Sequence, residues 1–156
     1  MNINDKYMSI ALEEAKKAVQ HEDVPIGCVI VFEDNIIAKS HNNVELNKDS
    51  TAHAEMLAIR EAQKVIGHKH LLECDMYITL EPCSMCAGAI VLSRLRNLYI
   101  ATADPKSGAC GSIFNIVSNE NLNHRTNVYF GAKENESSQL LKEFFKQLRV
   151  SNGRNS

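Results

Sequence analysis

"DMYITLEPCSMCAGAIVLSRLRNLYIAT", residues 75–102, decides the architecture. "DMYITL" is a short β-branched and aromatic apolar run and reads as a buried strand. "SMCAGAIVLSRL" alternates small and large apolar residues over a helix's length, and "NLYIAT" is a second strand. Strands interleaved with helices imply a sheet with helices packed on its faces. At the junction of first strand and helix stands "EPCSMC", residues 81–86, with Cys83 and Cys86 three apart. That spacing suits a metal, a redox dithiol or half of a zinc ribbon.

On the N-terminal side, "STAHAEMLAIREAQKVIG" (50–67) predicts a helix with Ser50 or Thr51 as N-cap and Gly67 as its stop. "IGCVIVFEDNIIAKSHN" (26–42) is two β-branched runs about Glu33-Asp34-Asn35, a hairpin. "YMSIALEEAKKAVQ" (7–20) carries Ile10, Ala11, Ala15, Ala18 and Val19 at helical spacing. On the C-terminal side come a short strand, "VYFGA", and a closing helix, "ESSQLLKEFFKQLR", with Leu140, Leu141, Phe144, Phe145 and Leu148 on its apolar side. The loop from Asp104 to Arg125 is long, and loops of that length in compact domains are often functional. The pattern is that of an α/β protein, one domain over residues 1–156 with its core at about 6–150 and a frayed tail from about 151 to 156.

Bulk properties narrow the class. The 156 residues are 44% hydrophobic and 23% charged, ordinary for a globular protein. No apolar run of membrane-spanning length occurs and the N-terminus has no secretory pattern, so neither a membrane role nor export is expected. Five cysteines, an odd number, favour reduced cytoplasmic thiols over a disulfide framework. The net charge is −2, but residues 1–81 hold 8 basic and 14 acidic side chains and residues 82–156 hold 9 and 5. That asymmetry points weakly to an anionic partner at the C-terminal half.

The cysteine pair needs further ligands to be a metal site. His53, in "TAHAE" at the start of one predicted helix, joins Cys83 and Cys86 at the start of another. One imidazole and two thiolates leave a coordination position open, the pattern of catalytic rather than structural zinc. Glu55 is two residues from His53, placed for proton transfer without ligating. His53 alone would ordinarily be a satisfied histidine, and Glu55 alone a helix-start acid. The joint pattern, His-x-Glu opening one helix and Pro-Cys-x-x-Cys opening the next, is far more specific.

This constellation resembles the zinc-dependent cytidine/nucleobase deaminase superfamily. "VPIGCVIV", "HAE", "EPCSMCAGAI", "DPKSGACGS" and "LNHR" together resemble the bacterial tRNA-specific adenosine deaminases, over about Lys6 to Arg149. The resemblance implies a three-layer α/β/α fold with a central mixed five-stranded sheet, a homodimer, and one zinc per subunit held by His53, Cys83 and Cys86. It implies Glu55 as proton shuttle, Asn42 as a hydrogen-bonding group for the substrate nucleotide, and the Ala54 amide as an aid at the reacting centre. The implied reaction converts the wobble adenosine of a tRNA anticodon stem-loop to inosine. Ser50 replaces a frequent proline, and Cys28 and Cys110 stand where alanine is common, which leaves them and Cys74 outside the ligand set. Basic and aromatic residues interleave at Lys106, Arg125, Phe145, Lys146 and Arg149, a composition suited to stacking a base and tracking phosphates. Two other functions share parts of the pattern. A deaminase of a free nucleobase, nucleoside or nucleotide would keep every zinc residue; a non-catalytic zinc or thiol protein would not need Glu55.

Overall fold

In the computed structural model, which describes residues 2–153, five strands form one mixed sheet. The hairpin is β1 (Gly27–Phe32) and β2 (Asn35–His41), closed by Glu33 and Asp34, both at positive φ. Two successive left-handed residues make the tight turn whose twist matches the flanking strands; Asn35 belongs to β2. β1 pairs antiparallel with β3 (Cys74–Leu80), which pairs parallel with β4 (Asn97–Thr102), itself parallel to β5 (Asn127–Phe130). The order β2-β1-β3-β4-β5 is the mixed five-stranded sheet expected.

Strand alternation divides the interior. Cys28, Ile30, Met76, Ile78, Leu98 and Ile100 face α3 (Ala54–Ile66) and α4 (Ser84–Ser93) in the larger core. Val29, Val31, Tyr77 and Ala101 face the other way, onto Tyr7, Met8 and Ala11 of α1 (Ile3–Val19). α5 (Glu134–Ser151) lies beside α1 on that side, where Ser137 Oγ donates to Thr79 O at 2.6 Å. Gly27 permits the closeness of α1 to β1: a Cβ there would sit 1.9 Å from Ala11 O. All four tyrosines join one stack on this face. Tyr7 leans on Tyr77, with centroids 5.2 Å apart, Tyr77 on Tyr99 at 4.5 Å, and Tyr99 on Tyr129 at 5.1 Å.

Boundaries differ from expectation in four places. α3 starts at Ala54 with His53 as N-cap, not Ser50 or Thr51, because Asp49 draws Thr51 into a separate turn through its amide and hydroxyl. α4 stops at Ser93, where Arg94 turns left-handed. A single helical turn, α2 (Val44–Asn47), interrupts the segment after β2, its first amides accepted by the buried Asp23 carboxylate. Val150 and Ser151 continue α5 and residues 152–153 form a turn, so only Arg154–Ser156 of the tail expected to fray lie outside the described residues.

Candidate active site

Two helix N-termini place the ligand candidates. His53 and Cys83 are the N-caps of α3 and α4, both in extended conformation, and neither makes a side-chain capping bond. Both are therefore free to turn toward each other. Cys86, one turn into α4, comes up on the same side. His53 Nδ1 lies 3.7 Å from Cys83 Sγ and 3.6 Å from Cys86 Sγ, and the three ligand atoms fall within 4.8 Å of one another. Zn–S of ~2.3 Å and Zn–N of ~2.05 Å at a tetrahedral angle give an N···S edge of about 3.6 Å. The donor set and its spacing thus fit zinc. Among the described residues no other group of three such side chains does so.

Electrostatics agree. A hydrogen bond from Cys86, with His53 adding to it, holds the Cys83 thiol down at about 4, whereas that same bond and burial raise Cys86. Metal binding by thiols releases their protons, and a thiol already held acidic makes that release easier. Cys28, Cys74 and Cys110 are buried thiols raised by burial, Cys74 to about 11.

Glu55 is 4% exposed and its Oε1 has no hydrogen-bond partner. Burial raises its pKa to about 7; its own backbone amide and His53 offset only part of that. A carboxyl that titrates near neutrality, with one oxygen free beside the cysteines, is equipped to exchange protons.

Asn42, just beyond β2, receives the Ala54 amide on Oδ1 at 2.8 Å, and Ser40 Oγ donates to Ala54 O at 2.6 Å. β2 thereby sets the position of the helix end that carries His53 and Glu55. The Ala54 amide is engaged by Asn42 rather than aimed at a reacting centre. Because Oδ1 is the acceptor in that bond, the Asn42 amide group is left as a donor.

The structure separates the basic and aromatic candidates. Lys106 is exposed in a turn held by Asp104, within a loop that Ala109 N ties to Pro82 O at 2.9 Å, next to Cys83. Arg125 is exposed beside His124, whose ring bonds Leu95 O. Phe145, Lys146 and Arg149 are exposed on α5, and Phe145 meets Phe144 edge-on. α5 packs on the face of the sheet opposite α3 and α4. Sequence reasoning missed Glu81, a buried carboxylate that accepts four hydrogen bonds from residues 104–112. No local pattern marks it, since its partners are 23 to 31 positions away.

Comparison with known proteins places this geometry. The family model of MafB19-like deaminases matches residues 2–149. The tRNA-specific adenosine deaminase of Aquifex aeolicus is 49% identical over 92% of this chain and 94% of its own length. That of Bacillus subtilis is 45% identical over 96% and 92%. A solved structure from a study of A-to-I editing by tRNA:A34 deaminases superposes with a TM-score of 0.84 at 43% identity, covering 87% of this chain and 99% of that one. A guanine deaminase from Nitrosomonas europaea superposes at 0.76 with 25% identity, over 92% and 85%.

Proposed function

The chain belongs to the MafB19-like deaminases and, within them, to the tRNA-specific adenosine deaminases, and on that premise we propose that it deaminates adenosine to inosine at the wobble position of a tRNA anticodon. The observation that carries the proposal is Glu55, a buried carboxyl with a free oxygen beside a His-Cys-Cys cluster of zinc dimensions. The net reaction consumes one water and releases ammonia.

His53, Cys83 and Cys86 would hold one zinc per subunit. Zinc bound there supplies Lewis acidity that brings a water's pKa toward neutrality. Glu55 takes a proton from the attacking water through Oε1 and gives it to the purine ring nitrogen as C6 is attacked; it then takes the second from the hydroxyl now on C6 and passes it to the departing amine. The Asn42 amide donates to the substrate nucleotide, and the Ala54 amide serves by fixing Asn42 rather than by touching the purine. An anticodon loop suits the site because its bases are already partly unstacked. Lys106 and Arg125 offer phosphate contacts, Lys146 and Arg149 extend them across α5, and Phe145 offers a ring on which a base can stack.

Free-base deamination would use the same cluster, but identity to guanine deaminases is 25% over 92% of the chain for that of Nitrosomonas europaea and 40% over only 66% for that of Bacillus subtilis, against 49% over 92% for the Aquifex tRNA enzyme. Assembly as a homodimer is part of the proposal. Leu92 is 79% exposed on α4, at a groove of about 600 Å³ that Met56, Ile59, Ala89 and Val91 also line. An exposed leucine with apolar neighbours, in a groove that Arg60, Lys69 and Arg94 also line, fits a twofold contact. Cytoplasmic residence accompanies a tRNA substrate and reduced thiols. The deciding experiment incubates pure protein with total bacterial tRNA and with free bases and nucleosides. Inosine at the wobble position is expected; turnover of free guanine or cytosine alone would overturn the proposal. Sedimentation at micromolar concentration is expected to give a dimer, and monomer alone would refute that part.

A further inference from the structure

Glu81 stands two residues before Cys83 and is 3% exposed. Oε1 accepts from Asp104 N at 3.0 Å and from the Ser112 hydroxyl; Oε2 accepts from Cys110 N at 3.0 Å and Ser112 N at 3.1 Å. Two oxygens with about four lone-pair directions are thereby fully used. The loop closes around this one group. A Cβ on Gly108 would lie 2.3 Å from the Glu81 carboxyl carbon and 2.6 Å from Asp104 O, so only glycine fits. Ala109 N adds the bond to Pro82 O, so the loop is fastened on both sides of the Glu81-Pro82 step. Its outer surface carries Lys106 together with Ile113 and Phe114, which are 52% and 56% exposed. An exposed phenyl ring on a loop that also carries an exposed cation is suited to stacking a nucleobase and meeting a phosphate.

We propose that Glu81 is a positioning residue whose carboxylate latches loop 104–114 to the segment bearing Cys83, and so sets where Lys106, Ile113 and Phe114 meet the RNA. The inference rests on the RNA function proposed above. Glutamine at 81 keeps the volume but retains one carbonyl oxygen: an NH2 group in the Oε2 place loses the Cys110 and Ser112 amides, and one in the Oε1 place loses the Asp104 amide and reverses the bond to the Ser112 hydroxyl. The loop then loosens while His53, Cys83 and Cys86 stay in place.

The test measures metal content, steady-state kinetics on tRNA, and amide hydrogen exchange for wild type, Glu81→Gln, Lys106→Gln/Phe114→Ala, and the combined variant. Glu81→Gln is expected to keep its metal, raise KM about tenfold and change kcat by less than about threefold, the pattern of lost binding. Loop substitutions that raise KM in wild type should add nothing once the loop is loose, because coupled sites are non-additive. Exchange at the Cys110 and Ser112 amides should accelerate. Unchanged KM, or fully additive effects, overturns the proposal. Should Glu81→Gln fail to fold, Ser112→Ala removes one bond and is expected to raise KM about threefold with faster exchange at Cys110; no change in either overturns it. Should wild type not act on tRNA, the RNA function fails, and exchange at Cys110 and Ser112 decides the latch by itself.

Discussion

Glu55→Gln separates chemistry from folding. Glutamine matches the carboxyl in shape, leaves all three ligand candidates intact, and cannot take up or release a proton. Loss of a positioned general acid–base costs about a hundred- to ten-thousand-fold in rate, so kcat should fall by that range while zinc stays at wild-type level. Stability should move the other way. Burial raises the carboxyl from 4.5 to about 7 in the folded protein, a difference worth ~3 kcal/mol. For an acid whose folded pKa is raised, the unfolded chain ionises first as pH climbs. The folded state is therefore disfavoured progressively between about pH 4.5 and 7, and by the full amount above that. Glutamine carries no such penalty. Urea denaturation of the chelated proteins should give similar midpoints at pH 4 and a Glu55→Gln variant more stable by up to ~3 kcal/mol at pH 8. Near wild-type turnover would exclude the proton-transfer role. A stability difference independent of pH would refute the account of Glu55 as a carboxylate held buried at a cost.

Three further outcomes are expected. Replacing Cys28, Cys74 and Cys110 together with serine should leave about one zinc per folded chain by metal analysis, and loss of zinc would sink the ligand assignment. Lys146→Gln with Arg149→Gln should weaken tRNA binding and make its log–log salt dependence shallower by about one per lost contact, with zinc and fold retained; identical curves would confine α5 to a structural role. Gly27→Ala should destabilise the fold by ~3 kcal/mol or more in a denaturation assay, because its Cβ would meet backbone of α1 at 1.9 Å. A stable, unperturbed variant would show that the α1–β1 contact is looser than described.

What could be read from the sequence was what depends on periodicity and local composition. The hairpin showed itself through two β-branched runs, and the long helices through apolar spacing. The His53-Cys83-Cys86 cluster was legible because zinc chemistry constrains residue type and spacing. Features set by distant partners were not. Ser50 and Thr51 have good N-cap chemistry, yet Asp49 competes for Thr51 and Asn42, 12 residues upstream, takes the first amide of α3. α2 is too short to show a period and exists because Asp23 accepts its amides. Glu81 looked like an ordinary acid before a proline, since nothing around it records where the chain will return.

The tyrosine stack has a spectroscopic consequence. The chain has no tryptophan, so its absorbance near 280 nm and its intrinsic emission come almost entirely from four tyrosines, in one stack that runs from Tyr7 on α1 across β3, β4 and β5. That stack stands on the face of the sheet opposite the His53-Cys83-Cys86 cluster. Intrinsic fluorescence therefore reports strand register, because a one-residue slip would send Tyr99 or Tyr129 to the other side. The face that carries the His53-Cys83-Cys86 cluster has no such chromophore. A single tryptophan introduced at Phe114 would emit against that background, and its quenching by a stacked base would follow RNA arrival without interference from the folding signal.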